Sequence, residues 1–573
     1  MVAQSHPGRK FVPAQFDVAD WAQIEPLCTQ LLEASIASPA ELEAWLGRAS
    51  ELSSVVDEYG SRRYIDKSCH TDDTKIEQAF MHFVENIEPK LKPFYFELQK
   101  KYLASPHRSG LSDKRYAILT RKWQADVDVF RPENIPLETQ ITKLVTEYDK
   151  ICGAMLVEFK GKQYTMQQLA RFNEETDRTV REESFQVAAA RRMQDKDKIE
   201  TIFEQLLPLR QTIAANAGCD NYRTFMWKSL KRFDYTPDDC HKFADAIEKS
   251  IVPLVRELDR QRKSDMGLEK LRPWDLAVDP KNRPPLRPFA EADVDGLVTR
   301  TRQIFERMSP TLATDFETLR SNKNLDLESR KGKQPGGYQC CLEECGQPFI
   351  FMNAAGLQRD VETLLHEGGH AFHFLAAAAN EPLTFLRSAP MEFCEVASMS
   401  MEALGSDHYD LIYDDPALAA RAKRTYFEGV IRFFPWMATI DQFQHWIYTH
   451  PGHSAQERTS AWLATLERFS SIVDWTGYEQ VRAASWQRQL HLFHVPFYYV
   501  EYGIAQIGAL QLWMKAKEDT QRAIANYRSA LKLGGTRPLP ELFSAAGLRF
   551  DFSIQTIEPL IRAVGEELAS LPA

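Results

Sequence analysis

The sequence lacks any long uncharged apolar run, any long block of like charge and any internal repeat. Its most apolar stretch, Val495 to Trp513, is interrupted by Glu501 and Gln506. That stretch reads as a buried helix and not as a membrane span. The first residues, Met1 to Trp21, hold no apolar core and no small-residue cleavage site. The expectation is a cytoplasmic protein with no membrane partner. A formal net charge of -10 argues against nucleic acid as a partner. Cysteine is scarce and odd in number, nine in 573 residues, which predicts reduced thiols and no disulfide framework. Cys340, Cys341 and Cys345 cluster, but no second C-x-x-C pair accompanies them, so they read as buried or strand thiols.

What the chain does have is apolar residues at helical spacing. Its 44% hydrophobic content is that of a globular protein with a substantial core. Ser38-Pro39-Ala40-Glu41 is a helix start, with serine as cap, proline at the first position and glutamate closing a capping box. Thr74 with Glu77, and Thr236 with Pro237, predict two more helix starts. Met155 to Thr165 alternates and turns at Gly161, predicting a small hairpin. Five prolines between 273 and 288 exclude a regular helix there. The segment Ser321 to Gly337 leads into two predicted strands, 337–342 and 348–353. The expected fold class is therefore mainly α, with a small β-sheet beside the segment considered next. Three consecutive regions are expected: residues 1–150, 151–290 and 291–573.

That segment is Val361 to Leu375, which contains His366-Glu367-Gly368-Gly369-His370, an H-E-x-x-H. On a helix the two histidines lie one turn apart on one face. A single tetrahedral zinc can take both at roughly 2.0–2.1 Å. Glu367 follows the first of them and reaches a water at the metal without binding it. A catalytic zinc needs a third protein ligand and one open position. A third histidine on the metzincin spacing is excluded, because position 376 is Ala376. The segment 390–398 offers Glu392 and Glu395, three apart on one helix face, and periodicity does not choose between them.

HEGGHAFH followed by MEFCEVASMSMEAL resembles the thimet oligopeptidase and oligoendopeptidase F family of zinc metallopeptidases. In that family a glutamate within E-x-x-S stands 29 residues after the first histidine, which here is Glu395, with Ser398 in place. Residues 438–446 and 491–502 resemble the family's downstream helix and its late His/Tyr segment. The resemblance implies a bilobed helical body with a deep channel that admits unfolded oligopeptides. It also implies one zinc per chain, held by His366, His370 and Glu395, and short peptides as substrates. Such a site leaves a fourth position for a water whose pKa zinc lowers toward about 7. Glu367 is then the general base, and later hands the proton to the leaving amine. His491, Tyr498, Tyr499 and Tyr502 match the family's donors to the developing oxyanion.

Other residues are expected in supporting roles. Glu362, one turn before His366, is a candidate acceptor for that imidazole's other N–H. Glu392 and His373 are expected next to the ligands. Gly368 is expected to allow close packing of the motif helix on the small sheet. Phe351 and Asn353, in a strand that offers its edge to an extended peptide, are candidate substrate contacts. The leading reading is a zinc endopeptidase of short oligopeptides. A helical zinc exopeptidase of carboxypeptidase type shares the motif, but would need a charged anchor for a peptide terminus, which the sequence does not reveal. A non-catalytic peptide-binding protein would have no use for Glu367.

Overall fold

A computed structural model describes residues 8–290, 293–330, 332–334 and 336–572. The described residues are mainly helical and include two small sheets. The first is the hairpin of β1 (Leu156–Phe159) and β2 (Lys162–Thr165), paired antiparallel. Its turn, Lys160 and Gly161, has both φ values positive, at 49° and 73°, which matches the twist of the flanking strands. The second comprises β3 (Leu325–Glu328), β4 (Tyr338–Leu342) and β5 (Gln347–Ala354), in the order β3-β5-β4. β3 falls in the stretch 321–337, which the sequence presents only as a connection; residues 331 and 335 of it lie outside the described residues. No helix among the described residues is long and apolar enough to cross a membrane.

The chain divides into two compact units, each assembled from separated stretches. Unit 1 is Met1–Asp128, Arg287–Lys423 and Ala505–Phe550, and unit 2 is Val129–Leu286, Arg424–Ile504 and Asp551–Ala573. The consecutive three-region division expected from composition thus differs from the packed units. Proline-rich breaks mark where helices stop, and do not reveal which distant stretches bury apolar surface together.

In unit 1, α1 (Pro39–Cys69) starts at Ser38, whose hydroxyl accepts the Glu41 N–H at 3.2 Å. It buries Leu42, Trp45, Leu46 and Leu52 in a cluster with Ile24, Leu31, Leu91 and Leu98. Near position 74 the cap is one residue earlier than expected. Asp73, not Thr74, accepts the Lys75 and Ile76 N–H groups; a carboxylate at that position also favours the helix dipole. Against the three-stranded sheet pack α1 and α3 (Gln358–Asn380), and on α3 pack α2 (Val294–Met308) and α4 (Met391–Gly405).

β5 is the central strand. It pairs antiparallel with β4 (Cys340 opposite Phe349) and parallel with β3 (Leu325 opposite Ile350). Both of its edges are therefore used, and the expectation that it presents an edge to a peptide is corrected. Phe351 is fully buried and stacks on Tyr338 with ring centroids 4.8 Å apart. The Asn353 amide donates to the carbonyls of Gln334 (2.8 Å) and Gly336 (3.0 Å), fastening the loop before β4. Both residues are structural here, contrary to expectation. The outer edge of the sheet on this side belongs to β4.

Candidate metal centre and catalytic groups

α3 begins where the Asp360 carboxylate accepts the backbone N–H groups of Ala355 (2.7 Å) and Leu357 (2.8 Å). These bonds hold the chain entering the helix, whose positive end favours the negative charge. Val361, Leu364, Leu365 and Phe372 are buried on α3. The helix carries His366 and His370 one turn apart, with ring centroids separated by 4.9 Å.

α4 comes close to α3 because Gly369 has no side chain. A Cβ there would stand 2.6 Å from the Ser398 Cα and would also run into the Ala397 carbonyl. No rotamer relieves a clash with backbone, so the approach requires glycine. Gly368 serves a different neighbour from the one expected. Its missing Cβ would lie 2.7 Å from the Phe305 ring on α2, so it accommodates a helix and not the sheet.

The approach at Gly369 brings Glu395 of α4 to the histidines. Its Oε2 lies 3.5 Å from His366 Nε2 and 3.6 Å from His370 Nε2. These are close to the roughly 3.3–3.6 Å edges of a tetrahedron with 2.0–2.2 Å bonds. His366, His370 and Glu395 form a group whose ligand atoms all lie within 4.8 Å of one another. The Ser398 hydroxyl donates to Glu395 Oε2 at 3.0 Å and steadies that carboxylate. Glu392, the other sequence candidate, is buried in the first turn of α4 and does not belong to this group.

The tautomer of His366 decides whether its Nε2 suits a cation. His366 Nδ1 lies 2.6 Å from Glu402 Oε1. A carboxylate only accepts, so Nδ1 carries a hydrogen in either protonation state, and in the neutral ring Nε2 holds the lone pair that a metal takes. The donor set fits zinc on this ground. Burial disfavours the His366 cation, but the hydrogen bond and charge of Glu402 outweigh burial and push this histidine up to about 9. Burial holds His370 well below its ordinary value, so His370 is neutral. Glu402 replaces Glu362 as the orienting acceptor. Glu362 instead accepts from the Gln358 amide at 3.3 Å, and burial pushes it up to about 7. The sequence did carry a signal for Glu402: positions 395, 398 and 402 recur on one helix face.

Glu367 is 7% exposed, and burial pushes it up to about 7, against the lowering influence of His366. The backbone N–H of Gln339 in β4 also bonds to its carboxylate and lowers it. His373 is buried one turn beyond His370, its ring edge-on to Phe393 and its Nε2 without a hydrogen-bond partner. Burial brings it down to about 4.

A second histidine-carboxylate group, Cys240, Asp441 and His445, is compact too, but its tautomer is opposite. His445 Nδ1 lies 3.3 Å from Arg223 Nη1, and a guanidinium only donates. His445 Nε2 therefore carries the hydrogen, facing Asp441 Oδ2 at 3.4 Å. With its hydrogen on Nε2 this ring faces Asp441 as a neutral donor and offers no lone pair there for a metal. None of the nine cysteines forms a disulfide.

The late His/Tyr residues gather within unit 2. The His491 ring lies 4.7 Å from that of Tyr499, 6.1 Å from Tyr502 and 6.3 Å from Tyr498. Trp436 Nε1 donates to Gln489 Oε1 at 3.0 Å, which fixes the orientation of that amide. Its nitrogen therefore donates to His491 Nδ1 at 2.7 Å, leaving the His491 Nε2–H as the outward donor. Burial brings His491 down to about 4, so this donor is uncharged at neutral pH. His494 is a surface residue paired with Asp149 at 2.8 Å.

Buried arginines grip this segment by its main chain. Arg210 donates to the carbonyls of Leu492 (3.0 Å) and Phe493, and to the Tyr448 hydroxyl at 2.6 Å. Arg232 donates to the Phe497 carbonyl and pairs with Glu501 at 2.9 Å. Phe497 itself is left-handed, with φ of 70°, and its N–H donates to Gln444 at 2.6 Å. A bulky residue in that region is strained by about 1–3 kcal/mol, and these partners hold it there.

Residues 171–560 match the model of Peptidase family M3, and residues 11–130 match that of the Peptidase M3 N-terminal domain. The fold resembles a solved structure of PZ peptidase A with inhibitor 2, with a TM-score of 0.89 and 27% identity over 98% of this chain and 99% of that one. Oligopeptidase PepF of Bacillus subtilis (strain 168) is 22% identical over 71% of this chain and 59% of its own length. An oligoendopeptidase F homolog of Borreliella burgdorferi is 25% identical over 38% of this chain and 37% of its own length. The chain thus spans between about a third and three fifths of these two relatives. With one family model covering well over half of its residues, the chain belongs to Peptidase family M3.

Proposed function

We propose that this protein is a zinc-dependent endopeptidase that hydrolyses internal bonds of short, unfolded peptides in the cytoplasm. The observation that carries the proposal is the meeting of His366 Nε2, His370 and Glu395, with the His366 lone pair freed by Glu402. One zinc bound there would supply Lewis-acid polarisation of the scissile carbonyl and a more acidic water. Glu367, one residue beyond the first ligand, takes a proton from the attacking water. As the C–N bond breaks, the same carboxyl delivers that proton to the departing nitrogen. Glu367, raised by burial, would be brought back down by positive charge held beside it at this site.

The His491 Nε2–H and the hydroxyls of Tyr498, Tyr499 and Tyr502 are proposed as donors to the oxyanion that develops on the carbonyl. Uncharged donors suit this task because they cost little to hold in a buried cluster. The outer edge of β4 is proposed to pair with an extended peptide, since Gln339 places this strand beside Glu367. Main-chain pairing of that kind accepts many side chains, as an oligopeptidase requires.

The test is an internally quenched peptide blocked at both ends, with metal analysis of the same sample. The expected result is one zinc per chain and internal cleavage that a chelator abolishes and added zinc restores. Chelator-insensitive cleavage, or none, overturns the proposal. Cleavage only of unblocked peptides favours an exopeptidase instead.

A further inference from the structure

One side chain of unit 2, that of Gln489, reaches two members of the His/Tyr cluster. Its amide nitrogen lies 2.7 Å from His491 Nδ1, and the same side chain bonds to the Tyr499 hydroxyl. The two rings it reaches stand 4.7 Å apart. An amide has a nitrogen that only donates, through two hydrogens, and an oxygen that only accepts. Which end faces the rings therefore decides what each ring can do.

The surroundings settle that orientation. The Trp436 indole N–H can only donate, and it meets Gln489 Oε1 at 3.0 Å. Trp436 is itself held in place: its ring stands edge-on to that of Trp462, with centroids 5.8 Å apart. Trp462 is fully buried, and its own N–H donates to the Arg482 carbonyl at 3.1 Å. The main chain of Gln489 is fixed as well, its N–H donating to the Trp486 carbonyl (3.0 Å) and its carbonyl accepting the Leu492 N–H (3.1 Å). The amide nitrogen is thus the end that faces His491 and Tyr499.

Both rings are set as donors by this arrangement. His491 Nδ1 accepts, so the neutral ring carries its hydrogen on Nε2. Burial pushes the Tyr499 phenol up, and the bond from Gln489 pulls it down. A bond that favours the phenolate is one donated to its oxygen, which leaves the phenol's own hydrogen for another acceptor.

We infer that Gln489 is a positioning residue, whose amide sets His491 and Tyr499 as hydrogen-bond donors together and on whose orientation the reaction depends. The inference rests on the proposed role of these two groups toward the oxyanion, and adds the residue that fixes their polarity. A carboxylate in its place has no hydrogen to give. It would keep the Trp436 bond but draw the hydrogens of both rings toward itself. His491 Nε2 would then hold a lone pair, which repels an oxyanion. Two donors would be lost through one residue that need not touch the substrate.

The experiment compares the parent with Gln489→Glu and Gln489→Met, as zinc-loaded full chains at about pH 9, well above the ordinary histidine range. Nitrogen NMR of protein labelled in its histidines reads the ring directly, the His491 signal being the one missing from His491→Gln. The expected result is a hydrogen on Nε2 in the parent and on Nδ1 in Gln489→Glu. With a quenched peptide, kcat of Gln489→Glu should fall by about 10²–10³-fold, the usual loss for an oxyanion donor, with KM near that of the parent. Gln489→Met, which fills the space without hydrogen bonding, should lose less. A ring that Gln489→Glu leaves unturned, parent-like kcat with the ring turned, or equal damage in Gln489→Met overturns the inference. If the parent cleaves no peptide, the peptidase reading fails. A ring that turns in Gln489→Glu would still uphold Gln489 as the residue that sets it, and one that does not turn overturns this as well.

Discussion

The candidate metal centre of unit 1 and the His/Tyr cluster of unit 2 are held by different means. In unit 1 the groups sit on two packed helices, α3 and α4, and side chain positions side chain: Glu402 sets His366, and Ser398 steadies Glu395. In unit 2 the residues from His491 to Tyr502 begin in a short, irregular stretch whose main chain is gripped from far away in sequence. Arg210 lies 282 residues before the Leu492 carbonyl it bonds, and Arg232 lies 265 before that of Phe497. Helical periodicity brings metal ligands together locally. An irregular segment that presents hydrogen-bond donors needs buried charge to fix it.

The sharpest way to break this contrast is to remove a clamp. Arg232→Met leaves Glu501 buried and unpaired, and breaking a pair of this kind costs about 3–5 kcal/mol. Denaturant unfolding should show that loss, with zinc content in the folded protein unchanged. Equal loss of zinc affinity would mean that the two clusters are not separately supported.

Next in size is the helix approach in unit 1. Gly369→Ala forces a Cβ into the Ala397 carbonyl and Ser398, and overpacking of this kind costs about 1–3 kcal/mol. Because the clash separates α3 from α4, zinc affinity should fall along with stability. Gly368→Ala meets only a phenyl ring, so zinc binding should be better preserved. Metal titration of both variants distinguishes the two glycines.

A smaller effect is expected from the acceptor behind His366. Glu402→Gln should weaken zinc binding by about 10–100-fold, the usual consequence of losing an orienting partner. Glu362→Gln should change it little, because Glu362 does not touch either histidine. A reversal of that order would restore Glu362 to the role the sequence suggested.

The smallest effect is a pH dependence in the chelated protein. His373 titrates near 4 when folded and near 6.5 when unfolded, because burial opposes its cation. Below pH 6.5 the unfolded chain takes up a proton that the folded one refuses. Stability is therefore full above about 6.5 and falls as pH drops toward 4, by about 1–3 kcal/mol. His373→Gln should flatten that slope in unfolding curves measured across this range.

The sequence made part of this legible. The spacing within H-E-x-x-H determines a shared helix face, and the alternation around Gly161 determines a hairpin, because both depend on local periods. Glu402 stands seven residues after Glu395 on the same face, a longer spacing than the single turn that points to Glu362. Apolar alternation marks the strand of Phe351 and Asn353 without saying that it is central. A glycine next to a glycine signals close approach but not the neighbour, which for Gly368 is Phe305 and not the sheet. The arginine clamps left no periodic signal, since each joins segments more than 260 residues apart.

The central claim is that Glu367 moves the proton while His366, His370 and Glu395 hold the metal. Glu367→Gln keeps the shape of the side chain and removes its basicity. Measured together on this variant, zinc content and turnover of a quenched peptide test the claim directly. The account predicts one zinc per chain, as in the parent, with kcat lower by about 10²–10⁴-fold. Parent-like turnover with zinc bound would contradict it.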